Sequence, residues 1–498
     1  MVTRGRGILD SRLARDGLLL LLPVVLSVPF WAMPVGRDQG YFSYGGWRML
    51  HGELPHRDFW TNTFPGVFWW YMLMEGVAVV PRAAWNGVLI GVTSVLLSHL
   101  GTRRGGLWAG VGYGVVCPLL HRFWDIGQAE HLVNLFIAAG LRTPRALLRG
   151  VLLGSAILSK PVALLFAPIL AWRSGLGRAD TCRCVGGVAL GAAIPLTLWL
   201  GLYAVSGGLL RVWEDLVIFN AGYGASTWKA ELAGRVVRGV ARWGAPLWPA
   251  VVIAGSAVVR RKGFMGLWLL CALGAVILQG KLFTYHWIIV LAPLMALFGR
   301  GVGELRAMGS VLRVIVLFMA IGPWLASPGL LSAAWYPAAY EAWRGIRYLG
   351  GAISSDIYLA GFGDKASGAD FSAAEQRRAA DEIIGRGCGT ALVWGFEPGL
   401  NYLSRTPNPM RYVADFPLTF PTTSPREVSV QKGHRARFIQ EFIRKRPGCV
   451  VIVHGDVNPV EAMDSYGQMR EFTEFASVLR REYRGPFSIG SYDLWEAR

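Results

Sequence analysis

The chain has 498 residues, of which 53% are hydrophobic and only 16% charged, where soluble domains carry about 25% charge; an ordinary soluble globule is excluded. Its formal net charge of +18 would suggest nucleic acid in a soluble protein. No basic stretch is interleaved with the aromatics on which single-strand binders stack bases, so nucleic acid is set aside as a partner and the lipid bilayer takes its place.

Arg4, Arg6, Arg12 and Arg15 precede the apolar run 17–33, which keeps the N-terminus cytoplasmic. No small-residue cleavage signature follows, so the run reads as a retained first span. About a dozen apolar segments succeed one another from 17–33 to 314–327, each near the length that crosses a hydrocarbon layer of about 30 Å. Basic groups at Arg103/Arg104, Arg142/Arg145/Arg149, Arg173/Arg178/Arg183, Arg260/Arg261/Lys262 and Arg300/Arg306 mark cytoplasmic loops. That alternation leaves one segment too many between the first outer loop and Arg103. Segment 65–81, with its junction at Pro81, is the one expected to lie partly in the interface, giving about eleven crossings. The fold class read from this pattern is an α-helical polytopic membrane protein, residues 1–327, followed by an extracytoplasmic α/β domain, residues 328–498. Within that domain strand patterns at 390–394 and 449–454 alternate with helical patterns near 371–386, 428–445 and 467–481. Cys388 and Cys449 each precede a strand, which leaves a disulfide between them open; Cys117 and Cys271 read as apolar filler, and the Cys182/Cys184 spacing is too sparse for zinc without further ligands.

Chemistry is sought in the outer turns. The first outer loop, 34–64, places Asp38 beside Gln39 just after the first span and Asp58 just before Phe59 and Trp60. Carboxylates at a membrane surface lose solvation unless something binds or pairs with them. A purely structural alternative has Asp38 capping a helix over 39–51 and Asp58 paired with Arg57 or Arg48. The next turn carries Asp125, Gln128, Glu130 and His131 at the mouth of a span. A metal site from Asp125, Glu130 and His131 matches no strong spacing signature, so a divalent metal is unsupported. Lys160 lies between two apolar runs, and Lys281, Tyr285 and His286 between two more. Each lysine would do no more than snorkel if nothing bound it. A phosphate near the outer surface needs cations, and Arg57, Lys160, Lys281 and His286 are placed to supply them.

Taken in order, these stretches resemble the protein O-mannosyltransferase and lipid A aminoarabinose transferase group of the C-type glycosyltransferases, across nearly the whole chain. The resemblance is carried by Asp38-Gln39, by Gly52-Glu53-Leu54-Pro55-His56-Arg57-Asp58-Phe59, by Pro65-Gly66, by the stretches 127–136, 150–161, 219–223 and 279–286, and by 393–412 in the outer domain. Two positions depart from the group's pattern. Gln39 stands where a second acid is usual, and no Lys precedes the Pro65-Gly66 helix entry near Thr63-Phe64. In the group that Lys is associated with the carrier phosphate, so its task would pass to Arg57, Lys160 or Lys281.

The resemblance implies an inverting transfer from a polyprenyl-phosphate sugar donor to an acceptor hydroxyl of a lipid, glycan or protein. It implies the plasma (inner) membrane and extracytoplasmic chemistry, with Asp38 as general base and no required cofactor. Gln39, Tyr41, Asp58, Asp125, Gln128, Glu130 and Tyr285 would then line the acceptor or sugar. Two other classes remain at this level. A flippase, transporter or polymerase of lipid-linked glycans would show charges at mid-membrane depth in matching halves, and Glu75 is the single acid deep in an expected span. A sensor with an outer ligand-binding domain has little need for polar residues in three separate outer turns. In the outer domain Glu397, Arg405, Arg411 and His454 read as solvated loop residues, or as groups that help choose the acceptor.

Overall fold

The computed structural model describes residues 3–498 apart from 78, 102, 121–122, 173–177, 226–231, 261–263, 327, 364–370, 423, 458–460 and 462. Arg173, Arg261 and Lys262 of the expected basic groups, and the side chains of Arg4, Arg6, Arg103, Arg104, Arg178 and Arg260, lie outside what is described. The chain divides into two compact units, one made of Met1–Met33, Val79–Trp199 and Lys229–Leu349, the other of Pro34–Ala78, Leu200–Trp228 and Gly350–Arg498.

The first unit is a bundle of apolar helices. Those over 12–30, 179–205 and 284–307 are long and apolar enough to cross a membrane, and Gly105–Leu120, Ala146–Ser159, Trp243–Val258, Phe264–Leu278 and Ser310–Ala326 are shorter apolar helices. Ile288–Ala307 is central. It packs on Arg103–Leu120, Leu232–Arg260 and Phe264–Leu278, and its buried face supplies Ile288, Ile289, Leu291, Leu294 and Met295 to the core. Lipid tails are as apolar as the side chains, so helices in such a bundle are held by close packing and small residues rather than by escape from water. Gly299 shows the consequence: a Cβ there would come within 2.1 Å of the Gly105 carbonyl oxygen. Arg149, expected in a cytoplasmic loop, is instead buried within Ala146–Ser159, where its Nε donates to Thr143 O at 2.7 Å and its Nη1 to Leu170 O at 3.2 Å.

One segment is as short as expected and another lies outside its expected domain. Gly66–Gly76 is an 11-residue helix of the second unit; at 1.5 Å per residue it reaches roughly 16 Å, half a hydrocarbon layer. Its Glu75 is not an acid deep in a span, since Arg405 and Tyr402 both donate to it. Conversely, Pro328–Leu349 is a 22-residue helix of the first unit, packed on Val28–Phe30 and Leu232–Arg260. Gly345 there meets Pro29 so closely that a Cβ would fall 1.7 Å from its carbonyl oxygen.

The second unit is built on a four-stranded mixed sheet in the order β1 (Ala391–Trp394), β2 (Cys449–Val453), β4 (Tyr492–Ala497), β3 (Tyr483–Ile489). β1 and β2 run parallel, joined through the helix Pro425–Lys445, and the C-terminal hairpin β3–β4 adds antiparallel to β2. Ser424 opens Pro425–Lys445 with a full capping box to Glu427, which satisfies two of the helix's orphan N–H groups. Alternate residues of β1 and β2 feed two cores. Leu392, Trp394, Val450 and Ile452 meet Phe438, Phe442 and Phe475 on one face; Val393, Val451 and Val453 meet Ala379, Ala380 and Ile383 on the other. Trp60, from the segment Pro34–Ala78, is fully buried in the former cluster.

Cys388 and Cys449 are joined by a disulfide, with Cα atoms 5.7 Å apart and 61 residues of separation. Cross-linking so long a stretch restricts the unfolded chain. Replacing both cysteines by Ala is expected to lower the unfolding free energy of this unit by about 2–4 kcal/mol, read from urea denaturation followed by tryptophan fluorescence. Coincident curves for wild type with and without reductant would contradict that.

Candidate functional site

In the first unit, sequence-predicted residues from three turns meet. Glu130 lies in the first turn of Ala129–Arg142, and Lys160 ends Ala146–Ser159 with an extended backbone that turns its side chain back into the bundle. Glu130 is fully buried, and Lys160 Nζ donates to its Oε1. A carboxylate at this depth is tolerated because the ammonium answers it. Lys160 Nζ also lies 5.4 Å from the centre of the Tyr285 ring, a distance at which the ring face attracts a cation. Tyr285 packs edge-on to His286 at 4.8 Å, and both Lys160 and Lys281 lie within electrostatic reach of His286. Lys281 is presented by a tight turn in which Gly280 and Leu282 have φ of 67° and 55°. Asp125 Oδ1 accepts from Thr284 Oγ1 at 2.8 Å, Gln128 Nε2 donates to Trp124 O at 2.8 Å, and His131 Nε2 faces Asp125 O at 3.4 Å. Among the described residues no three His, Cys, Asp or Glu side chains gather to hold a metal ion.

In the second unit, Asp38 sits in the first turn of Arg37–Leu50, which begins two residues earlier than the expected 39–51. Its N-cap is Gly36, without a side-chain cap; Asp38 is therefore not the capping residue, and it is half-buried. Gln39 is buried beside it. Tyr41 is buried with its hydroxyl facing Trp60 O at 3.4 Å, and burial raises its pKa above the ordinary value for a phenol. Arg57 donates to Asp58 through Nε and Nη2 at 2.6–3.0 Å, and Leu54 N–H donates to Asp58 Oδ2 at 2.7 Å. Burial alone would raise the Asp58 carboxyl, but these bonds hold it below the usual range. Asp58 is the partner of Arg57, as the structural alternative anticipated.

The groups that sequence reasoning missed or misplaced are buried charges of the second unit. Glu397 is fully buried, not solvated. It accepts from Arg37 Nε at 2.8 Å and Gln376 Nε2 at 2.9 Å; burial nevertheless keeps its pKa above the ordinary carboxyl value. Arg411 is also buried, and its Nη2 donates to Asp215 Oδ2 at 2.6 Å. Asp215 went unremarked because, following Glu214 in the stretch 209–218, it reads as an ordinary acid of a connecting segment and its partner Arg411 is 196 residues away. Ser465 Oγ lies 2.7 Å from both Asp415 Oδ2 and Asp456 Oδ2, and burial pushes both carboxyls up. Arg405 and His454 are more exposed; His454 Nε2 lies 2.8 Å from Asp493 Oδ2.

Breaking the Glu130–Lys160 pair from one side strands a buried charge. Glu130→Gln or Lys160→Met is expected to cost about 3–5 kcal/mol, while the double variant recovers much of the loss. A double-mutant cycle on thermal unfolding in detergent measures this, and additive effects would contradict the pairing.

No family model matches the sequence, and no curated protein sequence matches it. Several solved structures share its architecture, two of them states of one protein. ArnT from Cupriavidus metallidurans bound to undecaprenyl phosphate superposes with a TM-score of 0.53 at 12% identity, covering 98% of this chain and 98% of that one. The apo state of the same protein gives 0.51 at 13% identity, over 99% and 98%. The chain therefore has the fold seen in ArnT, a bundle of apolar helices with a small sheet toward its C-terminus.

Proposed function

We propose that the chain is an inverting glycosyltransferase that moves a sugar from a polyprenyl-phosphate donor to an acceptor hydroxyl on the extracytoplasmic side of the inner membrane. The observation that carries this reading is the grouping of Lys160, Lys281, Tyr285 and His286 around a buried Glu130 in an apolar bundle. A lipid phosphate is an anion that the ammonium groups of Lys160 and Lys281 suit, and the fold's likeness to a protein crystallised with undecaprenyl phosphate supports it. The Cys388–Cys449 disulfide supports an oxidising compartment for the sheet-bearing unit, which fits the outer placement expected for the C-terminal domain, although its first 22 residues, Pro328–Leu349, belong to the bundle.

In this reading Lys160, Lys281 and His286 of the helical unit bind the donor phosphate and stabilise the charge it gains on leaving; a role for Arg57 toward that phosphate is what the resemblance assigns. Asp38 takes the proton of the acceptor hydroxyl as its oxygen attacks the anomeric carbon. The bond from that carbon to the phosphate oxygen breaks, and a single displacement inverts the centre. Gln39, Tyr41, Asp125, Gln128 and Tyr285 are the groups assigned to the sugar or acceptor, and the scheme demands no metal.

Purified protein given a panel of radiolabelled polyprenyl-phosphate sugars is expected to consume one of them. Asp38→Asn should lower kcat by about 10²–10⁴ with the donor KM little changed. Undiminished transfer by that variant would remove Asp38 from the base role, and failure to consume any donor would contradict the transferase reading.

A further inference from the structure

The loop that carries Arg57 is held in an unusual way. Three consecutive backbone carbonyls are each taken by a side chain from elsewhere in the second unit. Tyr203 OH donates to Pro55 O at 2.7 Å. Arg411 donates to His56 O through both Nε, at 3.2 Å, and Nη2, at 2.9 Å. Arg211 Nη1 donates to Arg57 O. Behind Arg411 stands Asp215, fully buried, whose Oδ2 accepts from Arg411 Nη2 at 2.6 Å and lies 3.3 Å from His56 Nδ1. Arg411 also offers its own carbonyl to Trp60 N at 2.8 Å, so one residue grips the loop at two points.

The backbone between those grips is not relaxed. His56 has φ of 62°, a left-handed conformation that costs energy in a residue with a Cβ and persists only where the surroundings impose it. Asp215 itself sits in a π-helical turn, Glu214–Ile218, between the α-helical pieces Leu209–Trp213 and Phe219–Ala225. Such turns are rare and concentrate at functional positions. A buried ion pair adds little stability over an apolar pair of the same shape, so Asp215–Arg411 is better explained by the geometry it enforces than by the energy it contributes.

We propose that Tyr203, Arg211, Asp215 and Arg411 form a clamp that sets the conformation of residues 54–60, with Asp215 and Arg411 as positioning residues for Arg57. The clamp follows from these contacts alone; its consequence for turnover rests on the proposed role of Arg57 at the donor phosphate. The side chain of Arg57 is turned to Asp58 by this conformation, and a loop released from the clamp would present its guanidinium in many directions at an entropic cost to donor binding.

The test uses the full chain in detergent, with Asp215→Asn and the milder Tyr203→Phe, and two readouts. Hydrogen exchange of the peptide covering residues 54–60 is expected to quicken about tenfold in both variants, with peptides of the helical bundle within about twofold of wild type. The donor KM should rise about tenfold with kcat within about twofold, and Asp215→Glu, which keeps the charge, should recover most of both changes. Unchanged exchange at 54–60 in both variants overturns the clamp. Quickened exchange with an unmoved donor KM overturns the positioning role. If wild type consumes no polyprenyl-phosphate sugar, the proposed function falls while the exchange measurement still decides the clamp.

Discussion

A charge held away from water must be met by an opposite charge or by enough hydrogen bonds, and that constraint organises both units of this protein. In the helical bundle it is met at Glu130, whose carboxylate is buried and answered by Lys160. In the sheet-bearing unit it is met at Asp215 by Arg411 and at Glu397 by Arg37. Each pair joins parts of the chain that are far apart in sequence. Each therefore fixes a register that apolar packing, being non-directional, would leave loose.

The same constraint shapes how the second unit is put together. Its sheet closes around β1 and β2, yet its core takes Trp60 from the segment Pro34–Ala78 and packs Phe219 against it. Tyr44 OH accepts from Asn408 N at 2.6 Å, and Gly40 approaches Gly399 too closely to admit a Cβ. Pro34–Ala78 and Leu200–Trp228 are thus not appendages of the apolar helices but part of a folded body that includes the C-terminal sheet. Asp38, Arg57 and Asp58 are carried by that body, whereas Lys160, Lys281 and His286 are carried by the helices.

Much of this was legible because membranes impose simple rules. Apolar runs of the right length gave the helices, and the short reach of 66–76 was foreshadowed by the mismatch between loop charges and segment count. The strand patterns read at 390–394 and 449–454 fall on β1 and β2, and Cys388 and Cys449 are joined. Other features had no local signal. Pro328–Leu349 hides its place in the bundle behind Pro337, Glu341, Arg344 and Arg347, because Glu341 accepts from Phe123 N and Arg344 is buried only in the folded state. The hairpin 483–497 carries Gly485 and Pro486 in its first strand, residues that argue against a strand and are tolerated here at the sheet edge. Asp215, Glu397 and Arg411 look like ordinary polar residues until distant partners are known, so long-range pairing is what sequence could not supply.

The central claim is that the cations of the bundle recognise a polyprenyl phosphate, and native mass spectrometry of the detergent-released protein tests it most directly. With undecaprenyl phosphate and the neutral undecaprenol offered together, the account predicts that the phosphate is retained in preference. It predicts that this preference is lost when Lys160 and Lys281 are both replaced by Met. Equal retention of the two lipids by the wild-type protein, or an unaltered preference in the double variant, would contradict it.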